Sequence, residues 1–254
     1  MGSEPKLEIR DFSEAALRAV TSLPPGVVHL WWRSLAEPET QVQACCELLS
    51  PDEHDRASRF RVDDARRHFI LTRAALRSLL AAYLQKETDE LSFGLTKYGK
   101  PFLAGPPDAS MNNLRFNVSH ADGLALLGFA CQREIGVDVE RIRPELDTWK
   151  LAERFFSAHE RSALKNLNGE ELQSAFFRCW SRKEAYIKAR GEGLSLPLGQ
   201  FDVSIAPNES NALVATRPDG TEAARWIVRD LATRDLGTTG EYAAACAFSL
   251  KPEI

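Results

Sequence analysis

Hydrophobic and polar positions along the chain follow two periods. In "GVDVERI", Gly136 to Ile142, Val137 and Val139 alternate with Asp138 and Glu140. That is the period of a strand, with valines on one face and acids on the other. "GVVHLWW", ending at Trp32, is a further strand candidate, and "LRFNVSH" and "LALLGFAC" read as paired strands around the turn Ala121-Asp122-Gly123. "LSFGLTKYGKPFL" reads as strand and turn, with Gly99 and Pro101 as breakers. Helical periodicity without Gly or Pro runs from Ala65 to Tyr83 and again through "ELQSAFFRCWSRKEAYIKA". Ser50 with Glu53, and Ser157 with Glu160, have the spacing of capping boxes and predict two helix starts. "LPLGQFDVSIA", "ARWIVRDL" and "YAAACAFSL" are strand-like, and "AGPPDAS", residues 104–110, reads as a loop.

Strand, capped helix, long helix and strands thus occur twice, about 110 residues apart. The long helices even end alike, with "RAALR" at Arg73 to Arg77 and "KEAYIK" at Lys183 to Lys188. The order of elements, more than residue identity, predicts an α+β fold of two similar halves related by a pseudo-two-fold. Each half is a long helix on a small, mainly antiparallel sheet. The halves divide as residues 1–133 and 134–254, and the cleft between them is the expected ligand site.

Composition narrows the class. A chain of 254 residues with 44% hydrophobic and 27% charged residues is ordinary for a soluble globular protein. No apolar run approaches the roughly 20 residues of a membrane span, and "MGSEPKLEIRDF" has no signal-peptide core. Lys6 stands where a myristoylation signal has Ser or Thr. The five cysteines form no C-x-x-C pair and read as reduced thiols of a cytoplasmic protein. A net charge of −4 argues against a nucleic-acid binder. The arginine-rich stretch Arg56 to Arg67 is either a solvated helical face or a local anion site.

Read alone, Asp138 and Glu140 are a solvated strand face. The second long helix adds a third acid. Phe177, Trp180, Glu184 and Ile187 share one face, and that face is otherwise apolar. A carboxylate there needs a partner. Lys188, at i+4 from Glu184, is one candidate, as a surface ion pair. The other reading sets Glu184 opposite Asp138 and Glu140. Three carboxylates at one point make a hard-cation site, and Mg²⁺ of that type commonly binds substrate phosphates.

Taken together, "YGKP" at Tyr98 to Pro101, "FNVSH" at Phe116 to His120, "GVDVE", "FFSAHE" at Phe155 to Glu160 and "WSRKEAYIKARGEGLSLPL" resemble the 4′-phosphopantetheinyl transferases. The length and duplicated plan are similar to the large, monomeric, surfactin-synthetase-activating type. The resemblance implies transfer of the phosphopantetheine arm of coenzyme A to a serine of an apo acyl or peptidyl carrier protein, releasing 3′,5′-ADP. Such carriers serve fatty acid, polyketide or nonribosomal peptide synthesis. It implies Asp138, Glu140 and Glu184 as Mg²⁺ ligands, with Glu184 alternatively the base for the serine proton and Lys188 at the phosphate oxygens or leaving group. It assigns Arg56, Lys100, Ser119 and His120 to the phosphates of coenzyme A, with Lys97 and Asn117 in the same binding segments. Arg154, Arg161 and Lys165 become candidates for steering an acidic carrier. The rival readings are an inactive coenzyme A-binding protein and another Mg²⁺-dependent phosphotransferase. The second would usually carry a GxxxxGK[ST] loop, and none occurs.

Overall fold

The computed structural model describes residues 4–105, 113–238 and 242–250. Most of the 104–110 stretch lies outside them. The first half opens with strand β1 (Lys6–Asp11) and the short helix α1 (Glu14–Arg18), followed by β2 (Val27–Ser34). Helices α2 (Glu39–Cys46) and α3 (Pro51–Ser58) precede the long helix α4 (Asp63–Leu84). A hairpin of β3 (Ser92–Leu95) and β4 (Pro101–Ala104) and the strands β5 (Leu114–Ala121) and β6 (Leu124–Cys131) complete it. The second half begins with β7 (Ile135–Arg141), then α5 (Thr148–Phe155), α6 (Ala158–Leu164) and the long helix α7 (Gly169–Arg190). A small pair, β8 (Phe201–Val203) and β9 (Leu213–Thr216), is followed by β10 (Trp226–Leu231) and β11 (Tyr242–Ser249).

The sheets repeat one topology. Strand order is β1-β2-β6-β5 in the first half and β10-β11-β7 in the second. In both, the last strand lies between the first long strand and the penultimate one, so β2, β6 and β5 match β7, β11 and β10. These pairings are antiparallel, as the alternating patterns predict. β1, in which Leu7 and Ile9 alternate with Lys6, Glu8 and Arg10, is an addition to the predicted strands: it runs parallel to β2 at the sheet edge. The capping boxes form where Ser50 and Ser157 stand, and start α3 and α6.

Three apolar layers build the molecule, and the third joins the halves. Under α4, Leu71, Leu79 and Leu80 pack with Trp31, Leu127 and Phe129. Under α7, Phe176, Phe177, Tyr186 and Ile187 pack with Phe201, Val228 and Ala245. Between the sheets, Val28, Leu30 and Leu126 of the first half meet Val137, Val139, Cys246 and Phe248 of the second. The valines of "GVDVE" are therefore buried between the halves, and its acids turn toward α7. Gly136 makes the closeness possible. A Cβ there would stand 2.1 Å from the Ala185 carbonyl oxygen and 2.3 Å from the Ala189 nitrogen. Helix α7 lies directly on β7 because that residue has no side chain.

Candidate active site

The site is built where β5 and β7 run side by side at the junction of the halves. Asn117 faces Val137, and Ser119 faces Val139, so the two strands point the same way. Their carboxyl ends lie together, at the edge of an open trough. Asp138 is 2% exposed. Its Oδ1 accepts from Lys188 Nζ at 2.6 Å and from Ser119 Oγ at 3.1 Å. Lys188 Nζ also donates to Ser119 Oγ at 2.9 Å. Lys188 therefore pairs with Asp138 on the neighbouring strand rather than with Glu184 one turn back. The reason is depth: the buried carboxylate has more need of a counter-charge than the half-buried one.

Glu140 and Glu184 both feel the Asp138 charge. Burial and the Asp138 charge raise the Glu140 carboxyl to about 7, against the opposing pull of Lys188, Arg143 and a hydrogen bond from Trp180. Burial and then Asp138 also raise Glu184, and Lys188 opposes them. Asp138 itself is pushed up by burial, against the pull of Lys188 and Ser119. Each group's ionisation is disfavoured by its surroundings, the sign expected of acids short of positive charge. One atom says the same thing geometrically: Asp138 Oδ2 is buried and has no hydrogen-bond partner. Among the described residues no group of three or more His, Cys, Asp or Glu is drawn together as a metal cage. The acids fit a hard cation by donor chemistry and by the orphaned oxygen.

Two connected clefts lead to this point. The first, about 280 Å³, is lined by Tyr98, Lys100, Asn117, Val118, Glu184 and Lys188, with Gly191 and Gly193. The second, about 160 Å³, is lined by Arg56, Phe69, Thr72, Arg73, Val118 and His120. Pro101 and Val118 wall both, so the clefts form one trough from the acids to the arginines. Arg56 and Arg73 both lie against the Phe69 ring, at 5.1 and 5.9 Å. His120 stands at the end of β5 with His68 edge-on at 6.5 Å. Burial lowers its pKa, helped by His68 and Lys188.

The expected residues thus divide. Arg56, Lys100, Asn117, His120, Glu184 and Lys188 line the trough. Ser119 and Asp138 meet Lys188 at its floor. Lys100 is engaged: its ammonium contacts Glu134, the Ala189 carbonyl at 3.0 Å and the Ile135 carbonyl at 3.3 Å. Lys97 sits at the tip of the β3–β4 hairpin, over the Tyr98 ring at 4.6 Å. Arg154, on α5, and Lys165, after α6, are exposed and apart from this wall, and Arg161 is tied to the Glu153 carbonyl at 3.1 Å. Arg73 was not singled out by sequence. Its signal was available, since it follows Phe69 by four residues on the face that α4 turns inward.

Comparison with known proteins agrees in both halves. Residues 134–247 match the sequence profile of the 4′-phosphopantetheinyl transferase superfamily. Residues 32–132 match that of the 4′-phosphopantetheinyl transferase N-terminal region. The 4′-phosphopantetheinyl transferase HetI of a Nostoc species is 41% identical over 182 residues, 72% of this chain and 76% of that protein. The 4′-phosphopantetheinyl transferase Sfp of Bacillus subtilis is 33% identical over 158 residues, 62% of this chain and 67% of that protein. The L-aminoadipate-semialdehyde dehydrogenase-phosphopantetheinyl transferase of Xenopus laevis is 28% identical over 171 residues, 64% of this chain and 56% of that protein.

Proposed function

From the premise that this chain belongs to the 4′-phosphopantetheinyl transferase superfamily and is such an enzyme, we propose that it moves the phosphopantetheine arm of coenzyme A onto a serine of an apo acyl or peptidyl carrier, with Mg²⁺, releasing 3′,5′-ADP. The carriers in view are those of fatty acid, polyketide or nonribosomal peptide synthesis. The serine oxygen forms a bond to the β-phosphorus, and the bond from that phosphorus to the bridging pyrophosphate oxygen breaks. That oxygen leaves with 3′,5′-ADP. The observation that carries the reading is the meeting of Asp138, Ser119 and Lys188 at the floor of a trough whose far wall holds Arg56, Arg73 and His120.

Asp138, Glu140 and Glu184 are the residues that would hold Mg²⁺, which would supply charge neutralisation at the phosphate oxygens. Glu184 lines the trough and is our candidate to receive the serine proton. Lys188 steadies the phosphate oxygens from the opposite side. Arg56, Arg73 and His120 take the further phosphate charge of coenzyme A, while Lys100 and Ser119 serve the same wall through the protein partners they hold. Lys97, at the hairpin tip, is the outermost cation of the group. Arg154, Arg161 and Lys165 steer the acidic carrier. We further propose a cytoplasmic monomer of two halves divided at residues 133 and 134.

The test is direct. Apo carrier, coenzyme A and Mg²⁺ are incubated with the enzyme and the carrier is weighed. A gain of one phosphopantetheine arm with stoichiometric 3′,5′-ADP supports the reading, and chelation of Mg²⁺ stops it. Tight coenzyme A binding without mass gain on any of a panel of apo carriers overturns it.

A further inference from the structure

Strands β5 and β7 pass each other without joining one sheet. β5 pairs with β6, and β7 pairs with β11. On the open edge of β7 the amides of Val137 and Val139 need acceptors, because both residues are buried. Side chains supply them. Asn117 Oδ1 accepts from Val137 N–H at 2.9 Å, and Ser119 Oγ accepts from Val139 N–H at 3.4 Å. Residues two apart on one strand meet residues two apart on the other, as rungs built from side chains.

Main-chain rungs would draw the strands to about 4.8 Å. A side chain interposed between them holds them wider. The spacing matters because Val118, between the two rungs, walls both clefts, and the Asp138–Lys188–Ser119 contact spans the same gap. Ser119 already serves Asp138 and Lys188. Asn117 is 5% exposed and its oxygen is committed to β7.

We propose that Asn117 is a positioning residue. By accepting from Val137 N–H it fixes the distance of β7 from β5, and so the alignment of Asp138 with the trough. This rests on the transferase reading above, but its first readout, amide exchange in the free protein, does not depend on activity.

Asn117→Leu keeps the branched shape and removes the acceptor. The Val137 amide should then exchange about tenfold faster. The Asp138 amide, on the edge paired with β11, should keep its protection. In the same variant kcat should fall about tenfold while KM for coenzyme A stays within about twofold, the signature of misaligned chemistry with binding intact. Asn117→Asp retains an acceptor and should restore Val137 protection. Should the leucine variant not fold, Asn117→Ala replaces it, since it carries no acceptor and the same loss is expected. Unchanged Val137 exchange in the leucine or alanine variant overturns the proposal. So does loss of protection in Asn117→Asp, or a raised KM with kcat intact, which would make Asn117 a direct coenzyme A contact.

Discussion

Asp138 has a lysine and a serine on one oxygen and nothing on the other. Around it, Glu140 and Glu184 pay the electrostatic consequence in raised pKa values. Because Glu140 titrates near 7, protons should compete with the cation. The Mg²⁺ concentration for half-maximal rate should rise as pH falls below about 7, approaching about tenfold per pH unit, and Glu140→Gln should flatten that rise. Rate titrations with Mg²⁺ at a series of pH values decide this, and a midpoint independent of pH would remove Glu140 from the cation site. Glu184→Gln separates two duties of one carboxylate. Its Mg²⁺ midpoint should rise about tenfold, and at saturating Mg²⁺ the rate should still fall short by about 10². An unchanged midpoint leaves Glu184 as base alone, and full recovery leaves it as ligand alone.

At the scale of elements, the site depends on α7 lying on β7 without a spacer. Gly136→Ala should push the helix off the strand, with a stability loss of about 1–3 kcal/mol in urea denaturation and a fall in kcat. An alanine variant of parental stability would mean that the two elements can part at no cost. A second joint lies on the far side of the first half, where β1, β2 and α4 share a polar network. His29 Nδ1 lies 2.6 Å from Tyr83 Oη, which accepts from Trp31 Nε1 at 2.8 Å, and His29 Nε2 lies 3.4 Å from Glu8. Arg10 Nη2, which can only donate, lies 3.1 Å from His29 Nε2, so the neutral ring accepts there and carries its proton on Nδ1, toward Tyr83 Oη. Burial, then Arg10, lowers the imidazole from 6.5 to about 4. The folded state therefore binds fewer protons than the unfolded state between those values, so stability is present above about pH 6.5 and is lost as pH falls toward 4, by about 3 kcal/mol. Glu140, raised from 4.5 to about 7, acts in the opposite sense over an overlapping window. The difference between the parent and His29→Asn isolates the histidine: the parent should lose stability more steeply on acidification. Parallel curves would place the charge change elsewhere.

At the scale of the molecule, neither half contains the trough. Arg56, Arg73, Val118 and His120 come from the first, and Glu184, Lys188 and Gly191 from the second. Lys100 binds them further, reaching from the turn before β4 to Glu134, the start of β7 and the end of α7. A ligand lying along both walls should stabilise both halves at once. Coenzyme A at 100 times its Kd should add about 2.7 kcal/mol and shift one calorimetric transition upward without splitting it. Splitting into a shifted and an unshifted transition would show that one half alone binds it.

The repeat of strand, capped helix, long helix and strands was legible because periods of two and near four, with Ser-x-x-Glu starts, are local properties that burial enforces on each element. The acids were legible for a related reason: a charge on a strand or helix face that is otherwise apolar marks a place where burial is tolerated for chemistry. β1 was not predicted although Leu7 and Ile9 alternate with charged residues, because two apolar positions make a short signal and its parallel pairing with β2 is not a local property. The partners of the charges were also hidden. Local spacing offered Glu184 to Lys188 at i+4, yet the lysine went to Asp138 from fifty positions away, because desolvation depends on depth and not on sequence distance. For the same reason, only the packed structure gave Asn117 and Lys100 their strand and helix partners. Periodicity determines which faces are buried; which buried polar atoms then satisfy one another is decided when the two halves close.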